Sequence, residues 1–291
     1  MNNEAKYLGK AINYPKHYAP EILVPVPRHL NREIYGLADN NLPFTGYDIW
    51  HAYELSFLTQ KGMPVTGLLK IIYPADSPNI VESKSLKLYL NSFNMERYGS
   101  NKDEGLNIVI NTITEDLEKM LKTDVKALFF KGHEPSGSDF GHYAILEELP
   151  EMQEVEFSQY QEAPELLTTE KETSENKIKA GTHLLRSNCK VTFQPDWGSA
   201  FIHLKGTQIP EKAGLLKYLV SIRNENHFHE EICEMIYKRL WDQFSPDELM
   251  VSCIYTRRGG IDICPVRTNL PELMPVNLIH ENRLMSKLLR Q

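Results

Sequence analysis

Glu82-Ser-Lys-Ser-Leu-Lys-Leu-Tyr-Leu-Asn-Ser-Phe-Asn-Met-Glu96 and Glu211-Lys-Ala-Gly-Leu-Leu-Lys-Tyr-Leu-Val-Ser-Ile-Arg-Asn-Glu225 lie 129 positions apart in a chain of 291 residues. Laid one over the other, they share Glu82/Glu211, Leu86/Leu215, Tyr89/Tyr218, Leu90/Leu219, Ser92/Ser221 and Glu96/Glu225. The apolar members fall at the spacing of one helical face, so each half carries the same amphipathic helix. Amphipathic helices share apolar spacing by construction. The in-register Tyr, Ser and two Glu residues are what mark a repeat.

The flanks repeat as well. Two β-rich runs precede each helix, 46–58 with 65–73 in the first half and 189–194 with 199–204 in the second, each read as a hairpin. A second helical pattern follows, at 106–121 and 230–244, and then a strand pair, 125–130 with 141–146 and 249–255 with 260–264. The module reads ββααββ twice, which is an α+β class with antiparallel sheets. The expected division is a first module over 1–150 with an N-terminal extension, a connecting segment over 151–180, and a second module over 181–291. The connecting segment is rich in Glu, Thr, Gln and Ser and contains Pro164, so it is expected to bury little.

Hydrophobic residues at 41% and charged residues at 24% are ordinary globular values. A net charge of −7 and a pI near 5.8 exclude the basic surface that duplex binding needs, so no direct nucleic-acid partner is expected. The first fourteen residues contain no apolar signal core, and no stretch approaches the roughly 18 apolar residues of a span. A cytoplasmic chain without a membrane partner is expected. Cys189, Cys233, Cys253 and Cys264 form no CxxC pair, which removes zinc-ribbon and thioredoxin spacings. No GxGxxG or GxxxxGK[ST] occurs, so neither a doubly wound dinucleotide fold nor a P-loop is supported.

In Ser187-Asn-Cys-Lys-Val-Thr-Phe-Gln-Pro-Asp-Trp-Gly-Ser199 a thiol and a carboxylate are separated by a short run and a Pro195–Gly198 turn. Hairpin geometry can fold Asp196 back beside the strand. A cysteine attacks carbon as its thiolate, and the nitrogen anion that develops on a C–N acceptor then needs an acid. Cys189 and Asp196 supply both requirements; the plainer reading is that Asp196 opens a turn. In Asn226-His-Phe-His-Glu-Glu231 the chain breaks between two helices. Glu230 could accept from a paired N–H edge such as a guanine-type ring presents, and His229 could shuttle protons. A capping carboxylate and a satisfied histidine are the alternatives. His227 and His229 could also ligate zinc, although a lone HxH is a weak signal. Ser83 and Lys84 at a helix start, and Arg257-Arg258-Gly259-Gly260 in the last hairpin, could hold phosphate or be solvated surface.

Four stretches together, Val81–Asn94, Ser187–Ser199, Phe228–Glu230 and Tyr255–Asp262, resemble the long, two-module form of the 7-cyano-7-deazaguanine reductases. The resemblance covers nearly the whole chain. It implies the tunnelling fold, in which ββααββ modules pair, helices lie on one face, and sheets close into a barrel on oligomerisation. It further implies that Cys189 adds to a nitrile carbon to give a thioimide, that Asp196 donates the proton, and that NADPH delivers hydride twice. By the same resemblance His229 and Glu230 hold the deazaguanine edge, with Val81, Glu82 and Ser83 completing the pocket. Ser83, Lys84, Arg258 and Gly259 are implied cofactor contacts. The site should lie where the modules meet, and a homodimer is implied. Two rivals stand beside it: a zinc-dependent pterin or purine hydrolase of the same fold using His227 and His229, and a non-catalytic purine-binding protein.

Overall fold

The computed structural model describes residues 14–132, 135–170 and 176–291. Nearly all of the N-terminal stretch read for a signal, and residues 171–175 of the connecting segment, lie outside the described residues. The first half runs β1 (Pro25–Pro27), α1 (His29–Arg32), β2 (Thr45–Leu58), β3 (Pro64–Pro74), β4 (Asn79–Val81), α2 (Ser83–Asn91), α3 (Lys102–Leu121), β5 (Lys126–Phe130) and β6 (Ala144–Ile145). The second runs β7 (Lys177–Cys189), β8 (Pro195–Lys205), α4 (Lys212–Ser221), β9 (Asn226–His227), α5 (His229–Phe244), β10 (Glu248–Tyr255), β11 (Ile261–Thr268) and α6 (Val276–Ile279).

Both halves share one sheet, in the order β5-β3-β2-β11-β10-β8-β7-β6, with β9 beside the end of β7. The long strands pair antiparallel, as expected. The seam is the β2–β11 pair, running from Ala52 opposite Ile261 to Thr45 opposite Thr268. The four long helices cover one face, over cores centred on Leu86, Tyr89 and Ile113 in the first half and Leu215, Tyr218 and Ile236 in the second. On the other face Ile49, Phe201 and Val266 are buried beneath Met274, Leu278 and Met285 of the C-terminal segment.

The repeat extends to backbone detail. β2 breaks register between Ala52 and Leu55, and β7 does the same between Thr182 and Leu185. The recurring serine has one task in both halves: Ser92 Oγ donates to the Tyr89 carbonyl at 2.6 Å and Ser221 Oγ to that of Tyr218 at 2.7 Å. Each hydroxyl also accepts an amide from a preceding segment, Ala19 N at 3.3 Å and Ala163 N at 3.1 Å. Both alanines open a Pro-Glu 3-10 turn, Pro20–Ile22 and Pro164–Leu166. The recurring glutamates hold the strand ends, since Glu96 O accepts from Leu58 N at 2.9 Å and Glu225 O from Asn188 N at 2.8 Å.

Three sequence expectations are corrected. The first strand of the second hairpin is β7, not 189–194, and Pro195–Gly198 is strand rather than turn; residues 190–194 form the loop. The run 141–146 does not pair with β5; its strand β6 adds parallel to β7, because Ile145 packs on the far face beside Phe140 and Phe201. The connecting segment is far from idle: β7 begins inside it, Met152, Ala163 and Leu167 are buried, and Glu162 takes two hydrogen bonds from Arg239 at 2.7 and 2.9 Å. Its 3-10 turn at Pro164–Leu166 packs against α4.

A buried ion cluster fastens the seam. Arg267 on β11 pairs with Asp48 on β2 at 2.9 Å and with Glu234 on α5 at 2.9 Å, while Arg28 reaches Asp48 and Arg32 donates to Glu234 at 2.8 and 2.9 Å. Burial alone would raise the Glu234 carboxyl, but Arg267 and Arg32 outweigh it and hold it down to about 2. Removing one member leaves uncompensated charge in a dry site, which costs about 3–5 kcal/mol. Arg267→Met should therefore lower the unfolding free energy by about that amount in urea titration; a loss below about 1 kcal/mol would contradict this role. Among the described residues, no helix is long and apolar enough to cross a membrane.

Candidate active site

Cys189 ends β7, and a tight loop returns the chain to β8. Phe193 N donates to the Cys189 carbonyl at 2.9 Å and Cys189 N to that of Gln194 at 2.8 Å. Phe193 takes φ 57°, the left-handed region that a non-glycine residue enters only when its surroundings hold it there. On its other side Cys189 stands opposite His227 of β9. The thiol-bearing residue is thus fixed by two backbone ladders. Ser187 is opposite Asp196 in the β7–β8 pair, so Cys189, two residues on, shares a sheet face with Asp196. Such diagonal neighbours lie about 7–8 Å apart between Cα atoms. Cys189 is half-buried, whereas Cys233, Cys253 and Cys264 are buried. Burial pushes the Cys253 and Cys264 thiols well up, which makes them poor nucleophiles.

Asp196 is enclosed, and an imidazole and a guanidinium meet it. His229 Nε2 stands 3.5 Å from Oδ2, and the Arg258 guanidinium contacts Oδ1 while donating to Gln194 Oε1 at 2.7 Å. Burial raises the carboxyl, but His229 and then Arg258 more than offset it, so Asp196 sits below the usual range and is ionised. The imidazole of His229 lies against the Tyr255 ring, with centroids 3.8 Å apart, which holds it facing Asp196.

At the start of α5 two adjacent glutamates divide the work. Glu231 Oε2 accepts the Phe228 amide at 3.0 Å and so caps the helix, the role that sequence left open for Glu230. Glu230 is buried, and its Oε1 has no hydrogen-bond partner among the described residues. Burial first, and then the negative charge of Asp48, push its carboxyl up to about 8. A buried acceptor left open in a cavity wall is an expensive arrangement unless a ligand completes it.

That wall belongs to a cavity of about 380 Å3, large enough for a bicyclic base. Cys189, Asp196, His229, Glu230, Arg258 and Gly259 line it from the second half, with Val81, Ser83 and Lys84 from the first. Glu82 is the exception among the expected residues. It is buried, and its oxygens turn back to accept Lys84 N at 3.0 Å and Ser85 N at 2.6 Å, capping α2. Its contribution is to hold the turn that presents Ser83 and Lys84. Lys84, Lys87 and Arg258 give the rim its positive charge, and Gly259, at φ 56°, leaves space that a Cβ would take up 3.0 Å from Lys87 Nζ. A cationic rim with a side-chain-free notch fits a dinucleotide phosphate.

Sequence reading missed Trp50, Lys87, Thr192, Gln194 and Ile263 in the wall and Tyr255 behind His229. Tyr255, Thr192 and Gln194 stand inside the motifs already singled out; nothing local marks Trp50, which reaches the cavity through the seam. The HxH pair does not form a metal site: His227 is engaged by Glu231 Oε2 and Tyr35 Oη, both at 3.2 Å. Among the described residues, the side chains grouped closely enough to share a metal are His51, Asp262 and Cys264. They project from the sheet face opposite to Trp50 and Ile263, and Asp262 already accepts from Tyr53 at 2.6 Å and Lys287 at 3.0 Å.

Residues 14–129 match the family described as nitrile reductase, 7-cyano-7-deazaguanine-reductase N-term, and residues 195–272 that of QueF-like protein. The chain is similar to the NADPH-dependent 7-cyano-7-deazaguanine reductase of Delftia acidovorans, at 40% identity over 94% of this chain and 97% of the relative. The protein of the same name from Ralstonia nicotianae is 43% identical over 93% and 95% of the two chains, and that from Coxiella burnetii is 41% identical over 92% and 93%.

Proposed function

Since the chain belongs to the family of NADPH-dependent 7-cyano-7-deazaguanine reductases, we propose that it reduces the nitrile of 7-cyano-7-deazaguanine to the 7-aminomethyl base. By the family resemblance, we propose that this product serves queuosine biosynthesis. The observation that carries this reading is the open Glu230 acceptor in the same cavity as Cys189, which lets a base anchored by its N–H edge present its substituent to the thiol. A nitrile is a poor hydride acceptor until a nucleophile converts it to a C=N bearing sulfur.

Asp196, ionised in the free protein, takes the Cys189 proton as sulfur bonds to the nitrile carbon, then gives that proton to nitrogen, so a thiol adds across C≡N and a thioimide results. NADPH, when bound, would supply one hydride, so two molecules in turn serve each nitrile. Lys84, Arg258 and Gly259, with Ser83, would hold it; His229, pinned by Tyr255, returns protons to Asp196 between transfers. We carry forward as proposals the two-module division, a homodimer and a cytosolic location.

Mixing the protein with nitrile base and NADPH should oxidise two cofactors per amine formed. No oxidation at all would favour a purine-binding protein, and conversion of a pterin or purine without NADPH that stops on EDTA treatment would revive a zinc hydrolase. Glu230→Gln replaces an acceptor pair with an amide that mismatches the donor edge, at about 1–3 kcal/mol, or roughly 5- to 150-fold in affinity for the base. Because the carboxylate is the better acceptor and its titration is centred near 8, wild-type affinity should rise from pH 6 toward 8. Glu230→Gln should flatten that rise in a calorimetric series. A slope retained by the variant would assign the titration elsewhere.

A further inference from the structure

Arg258 stands between the two elements that carry the chemistry. Its turn is a two-residue hairpin loop, closed by Arg258 N to Ile261 O at 2.9 Å and Ile261 N to Arg258 O at 3.1 Å. Gly259 and Gly260, at φ 56° and 80°, supply the left-handed conformations such a loop requires. Thr256 N donates to the Trp197 carbonyl at 2.9 Å, so the hairpin leans on β8 next to Asp196. From there the guanidinium contacts Asp196 and donates to Gln194, whose own carbonyl accepts the Cys189 amide. The Asp196 side chain is 4% exposed and that of Arg258 39%, so the carboxylate is sealed in while its partner remains within reach of the rim formed by Lys84 and Lys87.

We propose that Arg258 is a shared counter-ion, holding Asp196 as a carboxylate in the free protein and being drawn off by a phosphate of the dinucleotide, so that cofactor arrival turns Asp196 from proton acceptor into proton holder. The proposal rests on the nitrile-reductase reading of the cavity. The groups facing Asp196 are His229 from α5, Tyr255 from β10, Cys189 from β7 and Arg258 from the hairpin, with Lys84 and Glu230 across the cavity. Among these Arg258 is the permanent cation in contact with the carboxylate. It binds one carboxylate oxygen and one amide, whereas a phosphate offers a doubly charged, bidentate partner. Once Arg258 leaves, His229 alone opposes burial, the Asp196 carboxyl rises, and it keeps the proton received from Cys189 until nitrogen takes it. Arg258 is thus a positioning residue for this step, acting through Asp196.

The test reads thioimide formation, without reduction, by intact mass and adduct absorbance across pH, with and without NADP+, which has no hydride to give. In the wild type, NADP+ should move the acid limb of the adduct-formation rate up by about one pH unit. Arg258→Gln should show the raised limb without NADP+ and no further shift when it is added, and Arg258→Lys should restore part of the wild-type position. A limb that stays in place in Arg258→Gln, or in the wild type with NADP+, overturns the proposal; should the variant fail to fold, the wild-type comparison decides alone. Absence of any adduct in the wild type at every pH would instead overturn the reading of the site.

Discussion

Cys189→Ala is expected to cut turnover by on the order of 10^4-fold or more and to remove the covalent adduct seen by mass spectrometry. Two features of the structure make the expectation specific to this thiol. Cys189 is half-buried and lines the cavity, whereas the other three cysteines are fully buried and two of them are driven toward the neutral thiol. The backbone bonds of the loop run through Cys189 N and O and are indifferent to the side chain, so the melting temperature should hardly move. An adduct that persists in the variant would show that a different nucleophile captures the nitrile.

Asp196→Asn should slow both adduct formation and reduction by about 10^2- to 10^4-fold, the range for a positioned acid–base group. The amide keeps the shape of the side chain but can neither take the thiol proton nor hand one to nitrogen. Its structural cost is small, since Arg258 is partly exposed and keeps Gln194 as a partner. Stopped-flow adduct formation in the absence of cofactor separates the two steps. If the adduct forms at the wild-type rate while only reduction slows, Asp196 is not the acceptor of the thiol proton and another base must be found.

The helical repeat was legible because residues buried on one helix face announce themselves by spacing, and because Ser92 and Ser221 perform the same bonding task in both halves. Residues 189–194 misled for a reason rooted in function. Val191, Thr192 and Phe193 have strand-like side chains, yet they form the loop that follows Cys189, and Thr192 lines the cavity. The true strand, β7, includes Gly181, Thr182 and Asn188 and is interrupted by a register break, which obscures alternation. The position of β6 depended on a partner in the other half, and no local pattern encodes that. At the site, residue types were readable but orientation was not. Glu82 and Glu230 both looked like pocket acids, and only the fold shows one capping a helix and the other left open.

The β2–β11 seam has a consequence for how the enzyme is counted. Both walls of the cavity come from a single polypeptide, so its assembly is a unimolecular event whose local concentration is set by covalent connection. Dilution cannot part these two walls.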